Sequence, residues 1–407
     1  MKTLIIGGGA AGFFAAIRRA ECHPEESITI LERGKAVLEK VRISGGGRCN
    51  VTHACWEPRE LVKFYPRGSK ELLGPFHQFA CGDTMGWFED RGVALKIEED
   101  GRVFPVSDNS QSIIEALWNT AKRRGISVLT RTRVTDIIAP STDPAPAAAP
   151  KEWMVKAGEQ TFTAHNLIVT SGSNAAVWKI LDRLGHRLVP PVPSLFAFDT
   201  KDTRLRELAG ISLPWAQLRI AGQSLKAEGP LLITHRGLSG PAVLRLSAWG
   251  ARDLAPLKYH FELVVNWLAQ RQEDVVEQLD ALKNSEAKRQ ISTRTYFDLP
   301  LRLWKSLVRA VGIPSEQQWS QLSKKQRAQL VEQLTAARFQ ITGKSTNKEE
   351  FTTAGGVDLR EVDFKSFRSK IHPSLFLAGE VLDIDAITGG FNFQAAWTGG
   401  WLIGGAD

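Results

Sequence analysis

Residues Thr3–Gly34, TLIIGGGAAGFFAAIRRAECHPEESITILERG, constrain the fold more than any other stretch of the chain. An apolar run enters a glycine turn, a helical pattern follows, and a second apolar run, SITILE, ends on an acid. Gly7, Gly9 and Gly12 fit the spacing G-x-G-x-x-G. The first glycine permits the tight turn, the second lets the backbone approach a pyrophosphate, and the third lets the helix pack closely on the strand. A helix starting near Ala10 aims the positive end of its dipole, and the backbone of Ala10, Ala11 and Gly12, at the phosphates. Glu32, with Arg33 beside it, lies twenty residues past Gly12. A carboxylate there accepts hydrogen bonds from both ribose hydroxyls and repels a 2′-phosphate, so the site is unsuited to NADP. A glycine motif alone is weak. A strand before it, a helix after it and an acid at this distance together predict an adenine dinucleotide, without separating FAD from NAD.

A second glycine run follows in KVRISGGGRCNVTH, Lys40–His53. Backbone N–H groups free of side chains suit a pyrophosphate and the edge of a flavin. The reading therefore places Arg42, Ser44, Gly45, Gly46, Gly47, Arg48, Cys49 and Asn50 along the cofactor. Arg48 can pair with an anionic group, and Asn50 can hydrogen-bond a ring edge. Cys49 is either a thiol beside the ring or a small residue that fits. The second is preferred, because nothing nearby supplies another thiol. The C-terminal segment LFLAGEVLDIDAITGGFNFQAAWTGGWLIG, Leu375–Gly404, carries a matching pattern. Gly379 and Glu380 end an apolar strand and are expected at the ribitol or pyrophosphate. Gly389, Gly390, Phe391, Asn392 and Gln394 open a helix whose N–H groups can stabilise negative charge on a reduced ring. Asp383 and Asp385 either serve the cofactor or cap the turn. Both ends of the chain thus look built for one long cofactor, which favours FAD over NAD.

Composition narrows the class. A chain of 407 residues has room for about two or three domains. It holds no run of 18 apolar residues, which disfavours a transmembrane helix. The opening apolar run leads straight into glycines and reads as a strand, not a signal peptide. Cys22, Cys49, Cys55 and Cys81 form no C-x-x-C pair, which disfavours a zinc or thioredoxin-like site and fits a reducing cytoplasm. The net charge of +8 is spread along the sequence. It reads as a solvated basic surface that attracts anionic cofactors, and a nucleic-acid partner is disfavoured.

VRISGGGRCNVTH and the C-terminal segment, together with GRVFPVSDNSQSIIEAL, LLITHRGLSGPAVLRLS and ITGKSTNKEEFTTAGGV, resemble a bacterial flavoprotein family of BaiN-type or aminoacetone-oxidase-like NAD(P)/FAD-dependent oxidoreductases. The resemblance implies an α/β fold: a Rossmann-like FAD-binding domain of the two-dinucleotide-domain type, interrupted by a β-barrel domain with a small helical insertion. The corresponding limits are 1–190 and 351–407 for the FAD domain, 191–265 and 338–350 for the barrel, and 266–337 for the insertion. It also implies that Val134 lies near the adenine and that Ser171 and Gly172, at the end of HNLIVTSG, approach the cofactor. The chain departs from the pattern at His53, where many members have Asn, and in the short segment SGSNAAVWKILDRLGH. The expected activity is a FAD-dependent oxidation or reduction of a small molecule at the seam between the two domains. No second G-x-G-x-x-G follows a strand, so NAD(P)H is expected as a visiting donor. An oxygen-using aminoketone oxidase and a non-catalytic flavin sensor or RNA-binding protein are the alternatives. Cys49, His53 and His235 are weak catalytic candidates, and no metal site is expected.

The middle of the chain is less specific. SDNSQSIIEALWNTAKRRG predicts a helix capped by Ser107 or Asp108, with Ile113, Ile114, Leu117 and Trp118 as its apolar face. Pro140–Pro150 reads as a loop. Ser239 is expected to cap a helix that has Pro241 near its start. Thr353, Gly355 and Gly356 are placed along the flavin, and the scattered tryptophans in cores and at a domain seam.

Overall fold

The computed structural model describes residues 1–141, 151–345 and 352–407. The loop expected over Pro140–Pro150 lies mostly outside them, as do Phe351 and the end of the expected barrel at 346–350. The chain divides into two compact units, Met1–Val192 with Lys348–Asp407, and Pro193–Asn347.

In the first unit, five parallel strands form the centre of a seven-stranded sheet. Their order is Leu375–Leu377, Asn166–Val169, Lys2–Ile6, Ser27–Leu31 and Ser127–Leu129. The antiparallel pair Val362–Asp363 and Arg368–Ser369 extends one edge. Leu4–Ile6 and Leu167–Val169 are buried, as parallel strands covered on both faces must be. Helix Ala10–Cys22 packs along the C-terminal helix, Phe391–Gly404. Close approach is possible because a Cβ on Gly400 would meet Ala11 O at 2.8 Å, and one on Gly404 would meet Arg18 Cβ at 2.5 Å. The glycines of TGGWLIGG therefore join the two ends of the chain through helix packing. Phe14 sits in the adjoining aromatic cluster, with ring centroids 4.5 Å from Trp87 and 5.2 Å from Trp397.

The second unit contains a closed six-stranded barrel. Its order is Ala197–Asp199, Gly237–Ser239, Lys226–Ile233, Ser212–Ile220, His260–Asn266 and Ala337–Ser345, with the last strand pairing back to the first. Strands His260–Asn266 and Ala337–Ser345 are neighbours. The chain between them forms helices Gln272–Ser285, Leu301–Ala310 and Lys324–Thr335. Trp267, Trp304 and Trp319 are buried, and Trp304 Nε1 donates to Ile291 O at 2.8 Å.

Local details differ from the sequence expectations. The helix expected after Ser107 or Asp108 starts at Gln111, whose N–H is taken by Asn109 Oδ1 at 2.9 Å. Trp118 is 40% exposed, because the buried stripe of that helix runs through Ile113, Ile114, Leu117 and Ala121. Gly240, not Ser239, is the N-cap before Pro241. Trp56, Trp118, Trp215 and Trp249 are exposed, so the tryptophans are not uniformly core residues. Among the described residues no helix is long and apolar enough to cross a membrane.

Candidate functional site

The first glycine turn separates two jobs that one motif combines. A Cβ on Gly12 would overlap Gly7 O and lie 2.7 Å from Thr170 Oγ1, so this glycine makes room for the turn beneath it. A Cβ on Gly9 would meet nothing within 4 Å. Gly9 caps the first helix in an ordinary extended conformation, φ −94°. Its lack of a side chain answers no requirement of the protein's own packing. It keeps open the space in front of the helix N-terminus, where an anion is favoured.

Beside this turn lies a cleft lined by Gly7, Glu32, Arg33, Val134 and Ser171 from the sequence reading, joined by Thr132, Arg133 and Asn174. Glu32 Oε2 accepts from Gly8 N at 2.9 Å and Oε1 from Gly34 N at 2.6 Å. Each carboxylate oxygen keeps a second lone pair for a hydroxyl. Ser171 Oγ is buried without a hydrogen-bond partner, an arrangement that costs free energy unless a ligand or water supplies one. Gly172, next to it, faces open space.

The second glycine run has a backbone reason for its three glycines. Gly45, Gly46 and Gly47 all have positive φ, at 57°, 69° and 87°. Side chains disfavour that conformation. Gly46 and Gly47 meet nothing at the Cβ position, whereas Gly45 faces Phe104 Cε1 at 3.0 Å. Ser44 Oγ donates to Val41 O at 3.0 Å. The exposed Arg42 reaches Gln111 Oε1 at 3.2 Å. Arg48 is held over the Phe104 ring, 3.9 Å from its centroid, and donates to Glu98 Oε1 at 2.7 Å. That bond raises its pKa and keeps it charged. With its amide oriented to suit its neighbours, Asn50 donates to Thr52 O at 2.9 Å and Val103 O at 3.2 Å, and accepts from Gly390 N at 3.0 Å. Asn50 thus ties the second glycine run to the C-terminal one.

The C-terminal motif is likewise braced from a distance. Gly390 has φ 88°, and a Cβ there would lie 2.5 Å from Thr52 O. Phe391 stacks on Phe64 at 4.3 Å and on His53 at 4.7 Å, and its carbonyl accepts from Tyr65 Oη at 2.6 Å. Asn392 closes the preceding loop by accepting from Ala386 N at 3.0 Å and donating to Ala386 O at 3.1 Å. Gln394 is fully buried. Its oxygen accepts from Thr52 Oγ1 at 2.6 Å and Thr84 Oγ1 at 2.9 Å, and its nitrogen donates to Thr398 Oγ1 at 3.1 Å. Asp385 is also buried, in a bidentate pair with Arg67. Each of these side chains has a partner within the protein. Glu380 pairs with Lys40, and a Cβ on Gly379 would lie 3.4 Å from Ala11 Cβ. A Cβ on Gly355 would lie 2.8 Å from Pro191 Cα, and one on Gly356 2.6 Å from Val381 O. These glycines serve close strand packing and do not face an open cleft. Beside them, Thr353 Oγ1 is buried without a partner.

The catalytic candidates have distinct environments. Burial drives the Cys49 thiol up to about 12, only partly offset by a hydrogen bond with Ser44. Burial therefore favours the neutral thiol, the less nucleophilic form. Burial pushes Cys55 up to about 11 and Cys81 upward. Cys22 alone is exposed. A thiol-selective disulfide reagent should therefore label Cys22 first in native protein, and Cys49 and Cys81 only after unfolding, as peptide mapping will report. His53 Nε2 lies 3.1 Å from Asp100 O. Burial lowers its pKa, so the ring is neutral near pH 7. In that form Nε2 donates to Asp100, and Nδ1, buried without a partner, is an acceptor. His235 is exposed in the turn between two barrel strands.

The residues fit FAD. Open glycine edges at Gly9, Gly46, Gly47 and Gly172 all belong to the first unit, as do Glu32 and the unpartnered Ser171 hydroxyl, which share one cleft. A family profile described as HI0933-like protein Rossmann domain matches residues 1–406. The chain is 28% identical over 408 residues to a ribosomal RNA dihydrouridine synthase of Haemophilus influenzae, covering 98% of this chain and 96% of that protein. It is 28% identical over 413 residues to a 3-dehydro-bile acid delta(4,6)-reductase of Clostridium scindens, covering 98% and 97%. Its fold is similar to that of a solved 3-ketosteroid-delta4-(5alpha)-dehydrogenase from Rhodococcus jostii RHA1, with TM-score 0.52, 14% identity and coverage of 99% and 95% of the two chains. The fold and the site define a FAD-dependent oxidoreductase. The chain belongs to the HI0933-like family of Rossmann flavoproteins.

Proposed function

We propose that this protein is an NAD(P)H-dependent flavin reductase that adds hydrogen across a carbon–carbon double bond conjugated to a carbonyl, and that its substrate is a uridine base in RNA. The observation that carries the redox assignment is the set of open glycine edges together with the acid of the cleft beside the first turn. Similarity to two ribosomal RNA dihydrouridine synthases, at 28% and 27% identity, supports the choice of substrate. Saturating the uracil 5,6 bond and reducing a 3-oxo-4,6-diene are the same class of reaction, so the bile-acid reductase relative supports the same chemistry.

In this reading the first turn and the N-terminal amides of helix Ala10–Cys22 hold the pyrophosphate. Glu32 takes the ribose, and Val134 borders the adenine. The Gly45–Gly47 and Gly389–Phe391 backbones lie along the ring. Bound FAD supplies the two-electron relay between NAD(P)H and substrate. The 14-residue helix Phe391–Gly404 presents its positive end at Gly390, where it stabilises negative charge. His53, neutral and fixed by Asp100 and the Phe391 ring, orients a donor group through Nδ1 and does not deliver a proton from that atom.

Anaerobic mixing with NADPH and with NADH, followed by incubation with ribosomal RNA from a strain lacking the gene, tests the proposal. The expected result is flavin bleaching within the turnover time and new dihydrouridine in the RNA. A 3-oxo-4,6-diene bile acid that reoxidises the flavin while RNA stays inert would move the substrate to the steroid class. Absence of bleaching by either nucleotide, with peroxide released from an aminoketone, would replace the reductase with an oxidase.

A further inference from the structure

The net charge of the chain is not shared between the two units. Pro193–Asn347 carries 22 lysines and arginines against 14 aspartates and glutamates, and the remainder carries 30 against 30. The entire +8 therefore belongs to the barrel unit, and the flavin-binding unit is neutral. Basic residues that look dispersed along the sequence become concentrated once the units are known. Such asymmetry is the electrostatic footprint of a polyanion partner.

Within that unit one surface is basic and uncompensated. Helix Leu301–Ala310 buries Leu303, Trp304, Leu307 and Val308, and exposes Arg302, Lys305 and Arg309. Positions i, i+3 and i+7 share one face and span about 10 Å of helix axis. The helix contains no acid. Among the described residues no carboxylate pairs with these three cations. Arg302 instead donates to the carbonyl of Glu207 at 3.1 Å. Elsewhere in the insertion most arginines find an acid: Arg271 pairs with Asp274, Arg327 with Asp280, and Arg289 and Arg294 with Glu286, while the exposed Lys324 and Lys325 open a helix with no such pair among the described residues. An ordinary solvated face mixes its signs as those pairs do. A face of three cations with no carboxylate pair among the described residues, on a helix anchored by a buried tryptophan, suits contact with a row of phosphates.

We propose that the exposed face of helix Leu301–Ala310 binds the phosphodiester backbone of RNA and docks the substrate strand on the enzyme. The inference rests on the RNA reading of the function and adds the surface that engages the partner. The three side chains contact phosphates and carry no sequence information, so their contribution is electrostatic and strongly dependent on salt.

The test uses the flavin-loaded protein and its variant Arg302→Gln/Lys305→Gln/Arg309→Gln, with binding to labelled ribosomal RNA fragments measured by anisotropy between 50 and 200 mM KCl. Three lost phosphate contacts reduce the slope of log affinity against log salt by about 2 to 3, so wild-type affinity falls about 20- to 40-fold more across that range than the variant's. Flavin bleaching by NAD(P)H stays unchanged in the variant, because none of the three residues belongs to the flavin site. Equal affinity and equal slope in the two proteins overturn the surface while leaving the RNA reading intact. Wild-type protein that binds no RNA overturns both. Preferential binding to anionic phospholipid vesicles over RNA overturns the choice of partner.

Discussion

Gly9→Val is expected to give a folded protein that no longer holds FAD. The backbone at Gly9 is extended, and no atom lies within 4 Å of the added Cβ, so the protein itself has room for the side chain. The cost to stability is limited to the poorer helix cap, about 1 kcal/mol. The isopropyl group then fills the space before the N-terminus of helix Ala10–Cys22, and flavin content should fall below about a tenth of wild type by visible absorbance, a loss of at least ~1.4 kcal/mol in binding. Gly12→Ala is the contrasting change. Its methyl group would overlap Gly7 O and lie 2.7 Å from Thr170 Oγ1. Overpacking of that kind costs about 1–3 kcal/mol or more, so this variant should lose stability before it reports on binding. Urea titration followed by circular dichroism, beside the flavin spectrum, separates the two outcomes. If Gly9→Val retains full flavin, the space before Gly9 is not the cofactor's.

Asp385→Ala should be strongly destabilising. Asp385 is fully buried and Arg67 nearly so, with side-chain exposures of 0% and 9%. Removing the carboxylate takes a charged partner from a guanidinium held out of reach of bulk water, at a cost of up to about 5 kcal/mol. The pair also fixes the loop that carries the C-terminal motif. Ile387 N donates to Phe64 O at 3.0 Å, and a Cβ on Gly68 would lie 2.7 Å from Ile384 Cγ1, so residues 64–68 and 384–387 are pressed together. Flavin retention should therefore fall along with stability. Replacing both partners with apolar residues, Arg67→Met and Asp385→Leu, removes the ion pair as a unit and should recover much of the loss in urea titrations. A double variant no more stable than Asp385→Ala would contradict this explanation.

The parts of this molecule that sequence exposes are those whose reasons are local. The first glycine turn is legible because Gly7, Gly9, Gly12 and Glu32 act within one strand–helix–strand unit. The three glycines after Ser44 are legible as a backbone that side chains cannot follow. The C-terminal motif is legible only in outline. Gln394 binds Thr52 across 342 positions, and Asp385 binds Arg67 across 318, so polar residues that suit a ligand are consumed by distant parts of the chain. No periodicity or spacing reveals such pairs. Asn50 and Asn392 follow the same pattern, because an amide that clamps backbone looks in sequence like one that reads a ring edge. Asn174 is a counter-example. It precedes the helix AAVWKIL, and its side chain accepts from Ala176 N at 3.0 Å, a cap that could have been read from SGSNAAVWKIL. The charge asymmetry was also present in the sequence, but it becomes visible only after the barrel unit is delimited.

The central claim is that backbone from both ends of the chain forms one cradle for FAD. Hydrogen exchange of the apoprotein with and without added FAD measures this directly. Slower exchange should appear together at residues 8–13, 45–50 and 389–393. Protection confined to the first of these segments, or to the barrel unit, would contradict it.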